Sequence, residues 1–187
     1  MSAAVAKVTL DITASNILSA GINAGAIPAK FQRLLDLNSG TSEGQIDLVY
    51  AKSESGKAAS STTSYDLAAG VLDIYGTAMT FVEVVLIAIK NKRQTAQATL
   101  SIGPRATNGF GALASGRGFW TAALGSGGGN IVMPASTATS DHESWLVMYS
   151  EQGVPVTAGT GDVLAVTCSA ISGDINAWDI LILGRSA

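Results

Sequence analysis

The sequence predicts an all-β protein, an antiparallel β-sandwich of jelly-roll type that carries an extended N-terminal arm. Three observations predict this fold class. Short runs of alternating or β-branched apolar residues recur along the chain at a spacing typical of a sandwich. Clusters of Gly, Ser, Thr, Asn and Asp separate these runs, as turns do. Helical periodicity is almost absent after residue 40.

The chain divides into an arm and one domain. Its 187 residues suffice for one domain of ordinary size with an extension. Residues 1–44 are predicted to be the arm or edge element, and residues 45–187 the sandwich. Within the arm, "KVTLDIT" alternates as a strand does. Residues 29–37 are predicted to form one short helix, which begins after Pro28 and ends at the Asn38-Ser39-Gly40 turn.

The strongest strand pattern in the chain is "FVEVVLIAI", residues 81–89. Both of its faces are apolar except at Glu83, so it is predicted to lie inside a sandwich whose outer face is also covered. The segment "QATLSIGP" is predicted to be its antiparallel neighbour, reached through the charged turn "NKRQTA". The other predicted strands lie in "QIDLVYAKS", "YDLAAGVLDIYG", "NIVMPAS", "SWLVMYSE", "VPVTAG", "DVLAVTCSA" and "AWDILILG".

Composition points to an assembly of several chains. Hydrophobic residues make up 47% of the sequence and charged residues 13%, about half the usual charged fraction. So few charges would not cover the surface of a monomer. Part of the uncharged surface is therefore predicted to be buried against other chains.

Charge and hydropathy argue against nucleic acid and membrane as partners. A net charge of −3 does not suit a protein that binds phosphates, and the cluster of Lys90, Lys92 and Arg93 is predicted to be a solvated turn. The longest apolar run is half the length of a membrane span and contains Glu83. The start, "MSAAVAKVTLDI", lacks the basic segment and long apolar run of a secretory signal, so we expect a protein made in the cytoplasm.

The segment "VPVTAGTGDVLAV", residues 154–166, places two glycines and an aspartate between two apolar runs. A loop that holds phosphate needs a helix after its last glycine, but a β-branched stretch follows Gly161. The spacing also lacks the Lys-Ser or Lys-Thr pair of a P-loop. The segment is therefore predicted to turn one strand into the next.

No residues show the pattern of a catalytic, metal or cofactor site. His142, the single histidine, lies in "SDHESW", where sequence neighbours on one extended segment do not face one another as a triad does. Cys168 is the only cysteine, so an intrachain disulfide is impossible. Asp162 and Asp174 lie beside glycines and are predicted to make turn hydrogen bonds. We expect no enzyme activity, although spacing alone leaves paired carboxylates for glycoside chemistry open.

Aromatic residues are the remaining candidates for a binding role. Several lie in a long Gly-rich stretch, residues 105–130, and Trp145 and Trp178 lie elsewhere. They could line a groove for a sugar or fill the core of an interface, and the second interpretation is favoured. The predicted interface residues are Ile27, Phe31, Leu34, Leu35, Phe110, Phe119 and Trp120.

Four segments carry a resemblance to a known family. They are "YDLAAG" (residues 65–70), "FVEVVLIAIKN" (residues 81–91), "VTAGTGD" (residues 156–162) and "ILILG" (residues 180–184). In these segments the chain resembles small β-rich virion proteins of tailed bacteriophages, the head decoration or cement proteins. The resemblance covers roughly residues 46–184 and leaves the arm unmatched.

The resemblance implies a structural role and brings no catalytic residues. It implies a non-enzymatic virion protein that decorates and cements the icosahedral capsid by bridging subunits of the major capsid protein. A homotrimer or homodimer on the outer capsid surface, made in the host cytoplasm, is expected. The alternative is a tail-associated or fibre-tip β-sandwich that recognises a host surface glycan.

Overall fold

The N-terminal segment is a long two-stranded β-hairpin. The computed structural model describes the backbone of residues 6–17 and 26–34 and the whole of residues 35–73, 75–92, 99–105, 107–111, 119, 130–134, 144–169 and 176–186. Strands β1 (Ala6–Ile17) and β2 (Ala26–Ser39) pair antiparallel along the whole of β1. At about 3.4 Å per residue, this ladder is about 40 Å long.

The short helix predicted over residues 29–37 is wrong, because that segment lies inside β2. Its apolar positions Ile27, Phe31, Leu35 and Leu37 are separated by even numbers of residues, which suits a strand. Residues 26–37 all have a partner on β1. This ladder pairs the backbone groups that the two strands turn toward each other, and it outweighs a weak local helix preference.

Eleven further strands complete the described part of the fold. β3 (Gln45–Ile46) pairs parallel to the end of β2, and β6 (Val71–Leu72) pairs with β7 (Ala78–Met79) in a small ribbon. The other eight are β4 (Leu48–Lys57), β5 (Thr62–Asp66), β8 (Glu83–Asn91), β9 (Leu100–Pro104), β10 (Ile131–Met133), β11 (Ser144–Pro155), β12 (Val163–Cys168) and β13 (Asn176–Arg185).

These eight strands form two antiparallel sheets of four strands. One sheet has the order β11-β8-β13-β4 and the other the order β10-β9-β12-β5. If only these eight strands are numbered, from 1 at β4 to 8 at β13, the two sheets have the strand orders 6-3-8-1 and 5-4-7-2. This is the strand arrangement of a jelly roll. The described residues contain no helix. The prediction of an all-β, jelly-roll-like sandwich with an extended N-terminal arm is confirmed.

One core lies between the two sheets. Both sheets contribute to it, with Ile87 of β8 and Ile182 of β13 on one side and Ile102 of β9 and Leu164 of β12 on the other. β8 lies between β11 and β13, the central position that its two apolar faces predict. The cluster also contains Cys168, a buried cysteine, as the sequence predicts for a small core residue.

The predicted pairing of "QATLSIGP" with the strand at residues 81–89 is wrong. β9, which this segment forms, lies between β10 and β12 in the opposite sheet. In a jelly roll, consecutive strands often cross from one sheet to the other, so neighbours in sequence pack face to face without pairing. The two neighbours of β8 are β11 and β13.

The segment "TAGTGD" turns β11 into β12 and crosses between the sheets. Gly161 N–H donates to the Thr157 carbonyl at 2.8 Å, and the two residues form an antiparallel bridge. Gly159 at the tip has a φ of +74°, which a residue without Cβ adopts without strain. Asp162 Oδ2 accepts a hydrogen bond from Gly159 N–H at 2.6 Å and closes the turn. A strand and not a helix follows, as predicted.

A buried hydrogen bond joins the two sheets inside the core. Trp178 Nε1–H on β13 donates to the hydroxyl oxygen of Tyr65 on β5 at 2.9 Å. The Tyr65 ring also meets the ring of Tyr50 edge-on, with centroids 6.0 Å apart. Burial, followed by the Glu54 carboxylate, raises the pKa of Tyr50 to about 12, and burial raises the pKa of Tyr65 as well. Both hydroxyls therefore stay neutral in the folded protein.

Removing the acceptor of this hydrogen bond should destabilise the fold. Tyr65→Phe leaves the buried Trp178 N–H without its partner, and we expect the free energy of unfolding to fall by about 1–3 kcal/mol. Urea unfolding followed by tryptophan fluorescence measures the change. Tyr75→Phe is the matched control, because Tyr75 is 87% exposed. Equal stability of the two variants would contradict the assigned role.

Candidate interaction surface

The sheet β11-β8-β13-β4 turns an apolar face away from the core. The ladder registers align three rows of residues across its four strands, and these twelve residues define the outer face. The first row contains charged residues, and the second and third rows are apolar. In the order β11, β8, β13, β4, the rows are Trp145, Lys90, Asp179, Ser53; then Val147, Ala88, Leu181, Ala51; then Tyr149, Leu86, Leu183, Val49.

The chain itself covers the middle of the third row, while Val49 at its end is 41% exposed. Leu37 near the end of β2 and Ile46 of β3 are buried against Val85, Leu86 and Leu183 in a second hydrophobic cluster. This cluster is separate from the core between the sheets. The base of the N-terminal hairpin is therefore fastened to the outer face by apolar contacts.

The covering stops before the second row. Val147 is 52% exposed and Trp145 is 61% exposed, and Ala51 is exposed as well. A groove of about 470 Å³ follows these rows and is lined by Ala88, Leu181 and their neighbours. An apolar strip next to an already covered row is typical of an interface.

The first row gives the groove a charged border. Lys90 Nζ lies 5.2 Å from the centroid of the Trp145 ring, within the range of a cation–π contact. Lys92 Nζ donates to Asp179 Oδ1 and to Ser53 Oγ, at 2.7 Å in each case. Burial would raise the pKa of Asp179, but the hydrogen bond and charge of Lys92 outweigh it and lower that pKa. Because this pair is partly exposed, it contributes little stability and mainly orders the border.

The hairpin has an apolar face that ends in Leu37. Side chains alternate along a strand, so alternate residues of β2 share a face with Leu37, and their partners on β1 lie beside them. These positions hold mostly apolar residues, while the opposite face holds mostly polar and charged ones. The face that includes Leu37 carries Ile27, Ala29, Phe31, Arg33 and Leu35 of β2 with Ala6, Val8, Leu10, Ile12, Ala14 and Asn16 of β1.

The predicted interface residues fall into separate regions. Ile27, Phe31 and Leu35 lie on the apolar face of the hairpin and Leu34 on the opposite one, and Leu35 is half-buried. Phe110 is fully buried in the core of the sandwich. Its ring meets that of Phe119 edge-on at 6.3 Å, and Phe119 is partly buried against the same core. Trp120 lies outside the described residues.

Sequence reasoning predicted that the outer side of residues 81–89 is covered, but it did not identify the residues of the outer face. Trp145 was left between a sugar groove and an interface core, with the interface favoured, and Val147, Leu181 and Leu37 were not singled out. The available signal was alternation, since β11 and β13 each carry apolar residues at every second position facing outward. Alternation alone does not show which strands are neighbours, so the outer face can be identified only once the strand order is known.

The residues that the sequence analysis weighed as catalytic or metal-binding candidates can be followed only in part. They hold no group of three His, Cys, Asp or Glu side chains that could bind a metal ion. His142 and Asp174 lie outside the described residues, and Asp162 makes the turn hydrogen bond expected of it. In the described part of the chain, no helix has the length and apolar character needed to cross a membrane.

Fold and surface together define an antiparallel β-sandwich of jelly-roll type with a paired N-terminal arm and a partly covered apolar outer face. Comparison with protein families, curated proteins and solved structures finds no match.

Shortening Leu37 should release the hairpin without unfolding the sandwich. Leu37→Ala leaves a cavity in the small cluster, and a buried Leu→Ala change costs about 2–5 kcal/mol. We expect faster hydrogen exchange at the amides of β1, β2 and β3, because their anchor belongs to the cluster on the outer face. Amides of β9 and β12 should keep their protection. Leu72→Ala, at a position 52% exposed, is the control, and uniform loss of protection over both sheets would contradict this view.

Proposed function

We propose that this protein is a non-enzymatic structural component of the virion of a tailed bacteriophage. In this proposal it decorates the outer surface of the icosahedral capsid and cements it by bridging subunits of the major capsid protein. It is made in the host cytoplasm and acts as a homotrimer or homodimer, without a cofactor and without contact with nucleic acid or membrane.

The observation that carries the proposal is the β1–β2 hairpin. A two-stranded hairpin is at best marginally stable in water, and it needs a third strand or a packed face. Here only the end of β2 has a further strand, β3, and only the base of the hairpin has a described apolar contact, through Leu37. An arm of about 40 Å with an apolar face suits a protein that holds a neighbouring molecule.

The outer face supports the proposal independently. A cement must hold at least two neighbours, and the hairpin and the exposed strip around Val147 give one chain two apolar contact surfaces. Burial of about 1,000 Å² or more at each contact is typical of a stable interface. At about 25 cal/mol per Å² of apolar area, each contact would add several kcal/mol, repeated over a symmetric shell.

The fold is compatible with this role but does not determine it. Jelly rolls occur in viral capsid proteins and in lectins. The segments that resemble phage decoration proteins, among them residues 65–70 and 156–162, form a strand with its turn and an inter-sheet turn. Such segments specify a fold better than a role.

Cryo-electron microscopy of the particles with which the protein co-purifies tests the proposal. We expect its density at junctions between major capsid subunits, in a fixed ratio to them. The shells of particles stripped of the protein should break at a lower temperature than those of complete particles. Adding the protein back should restore the original temperature. Density confined to the tail, or absence from virions, would overturn the capsid role.

A second candidate function is glycan recognition by a tail-associated module. The observation that favours it is Trp145, which is 61% exposed beside the groove with Lys90 over its ring. Exposed tryptophans stack on sugar rings through their apolar faces. The groove has the position of a binding site, although it is shallow and open.

Loss of the Trp145 ring distinguishes this candidate. If the groove binds a host glycan, Trp145→Ala should weaken binding at least tenfold, which corresponds to about 1.4 kcal/mol. Glycan-array and cell-adsorption measurements report the change. Tyr75→Ala, which removes an aromatic ring that is 87% exposed elsewhere, should have no effect. Wild-type protein that binds no glycan would rule this function out.

A further inference from the structure

We propose that the β1–β2 hairpin of one copy docks on the exposed part of the outer face of a second copy, so that the protein assembles by exchanging hairpins. The inference rests on the proposed function only in requiring that several copies act together. It identifies the occupant of the exposed strip as a segment of this same chain.

The first argument is continuity with a contact that already exists. Leu37 is buried on the third row of the outer face, and the second row, with Ala88 and Leu181, packs against the edge of the same cluster. The hairpin face that supplies Leu37 continues through Leu35 and Phe31. The same kind of apolar hairpin surface therefore suits the adjoining row.

The second argument is that the molecule leaves this row unoccupied by its own arm. Val147 of the second row and Trp145 of the first row keep more than half of their surface exposed, although the base of the hairpin lies on the third row. Among the described residues, Leu37 is the arm residue that enters the cluster on this face, which leaves room on the second row for a hairpin of another copy. A second copy brings an identical hairpin with every contact.

The third argument is the two-sided character of the hairpin. Of the twelve positions on the face that carries Leu37, ten are apolar, and the other two are Arg33 and Asn16. The opposite face carries Lys7, Asp11, Lys30 and Asp36. A hairpin that covers an apolar sheet on one side and meets water on the other requires this division.

Exchange also gives a closed assembly. The contact joins two different surfaces, the hairpin of one copy and the outer face of the next. Such a contact closes when two copies exchange hairpins reciprocally or when three copies form a ring. In either case each exposed strip is covered by a hairpin of another copy, as expected of a chain with only 13% charged residues.

Complementation between two variants tests the inference. Val147→Lys places a charge on the receiving surface at a half-exposed position that tolerates it, and Phe31→Asp places one on the hairpin. The mass of each full-length protein is measured by light scattering over a concentration series. We expect wild-type protein to form dimers or trimers and each variant alone to be monomeric.

An equal mixture of the two variants is expected to form mixed complexes. The intact hairpin of the Val147→Lys chain fits the intact outer face of the Phe31→Asp chain, which leaves one working contact per pair. Val132→Lys is the matched control, because Val132 is 60% exposed on β10 of the other sheet. This variant should assemble as the wild type does. Circular dichroism and thermal unfolding verify that each variant is folded.

Several results would overturn the inference. Monomeric wild-type protein would do so, as would assembly that survives either variant. If only Val147→Lys prevents assembly, the outer faces of two copies pack on each other without the hairpins. If the mixture of the two variants stays monomeric, hairpin exchange is contradicted. Glycan binding by a monomer would assign the strip to a sugar instead. Binding of the wild type to capsids is measured separately, so failure of the capsid role leaves the mass result standing.

Discussion

The organisation of this protein depends on one constraint, the apolar character of both faces of β8. Ile87 and Ile89 point into the core between the sheets, while Val85 and Leu86 belong to the cluster on the outer side. A sheet with such a central strand must be covered twice, because each exposed large apolar side chain forgoes about 1.5–3 kcal/mol of burial. The second sheet covers the inner side. The chain uses its N-terminal segment to begin the covering of the outer side, and the form of the arm follows from that need.

A buried charge holds this outer covering in place. Arg185 at the end of β13 is almost fully buried, lies 2.7 Å from Glu83 and donates to the carbonyl oxygens of Ser42 and Gln152. Ser42 belongs to the loop between β2 and β3, so this one side chain joins the hairpin base to the edge of the sheet. Loss of one partner of a buried ion pair typically costs about 3–5 kcal/mol. The bonds to backbone oxygens make the position of Ile46 and Leu37 specific, where apolar contact alone would let the covering slide.

Local patterns in the sequence were sufficient for some elements and misleading for others. The alternation around residues 81–89 and the glycines of "TAGTGD" predict a central strand and a turn, because both depend on neighbours in sequence. The error over residues 29–37 has a local cause, since Pro28 and the following Lys30 to Leu37 resemble the start and body of a helix. The ladder with β1 decides otherwise. The sequence predicted a covered outer side for β8, but not which residues form the outer face, because Trp145 and Asp179 become neighbours only through β8, which pairs with both of their strands.

The two sheets differ in the side chains on their outward faces, so the two sides of the sandwich differ in polarity. On the sheet β10-β9-β12-β5, Thr62 lies opposite Thr167 with their hydroxyl oxygens 3.0 Å apart, and Ser64 and Ser101 occupy neighbouring outward positions. Hydroxyl groups of this kind hydrogen-bond readily to water, and Val132 is an exposed apolar side chain beside them. The opposite side presents the apolar side chains of Val147, Ala88 and Leu181. Burial of the hydroxyl-bearing side would remove its hydroxyl groups from water and would bury little apolar surface in return. An assembly of these chains is therefore expected to join through the outer face of β11-β8-β13-β4 and to leave the other sheet in solvent.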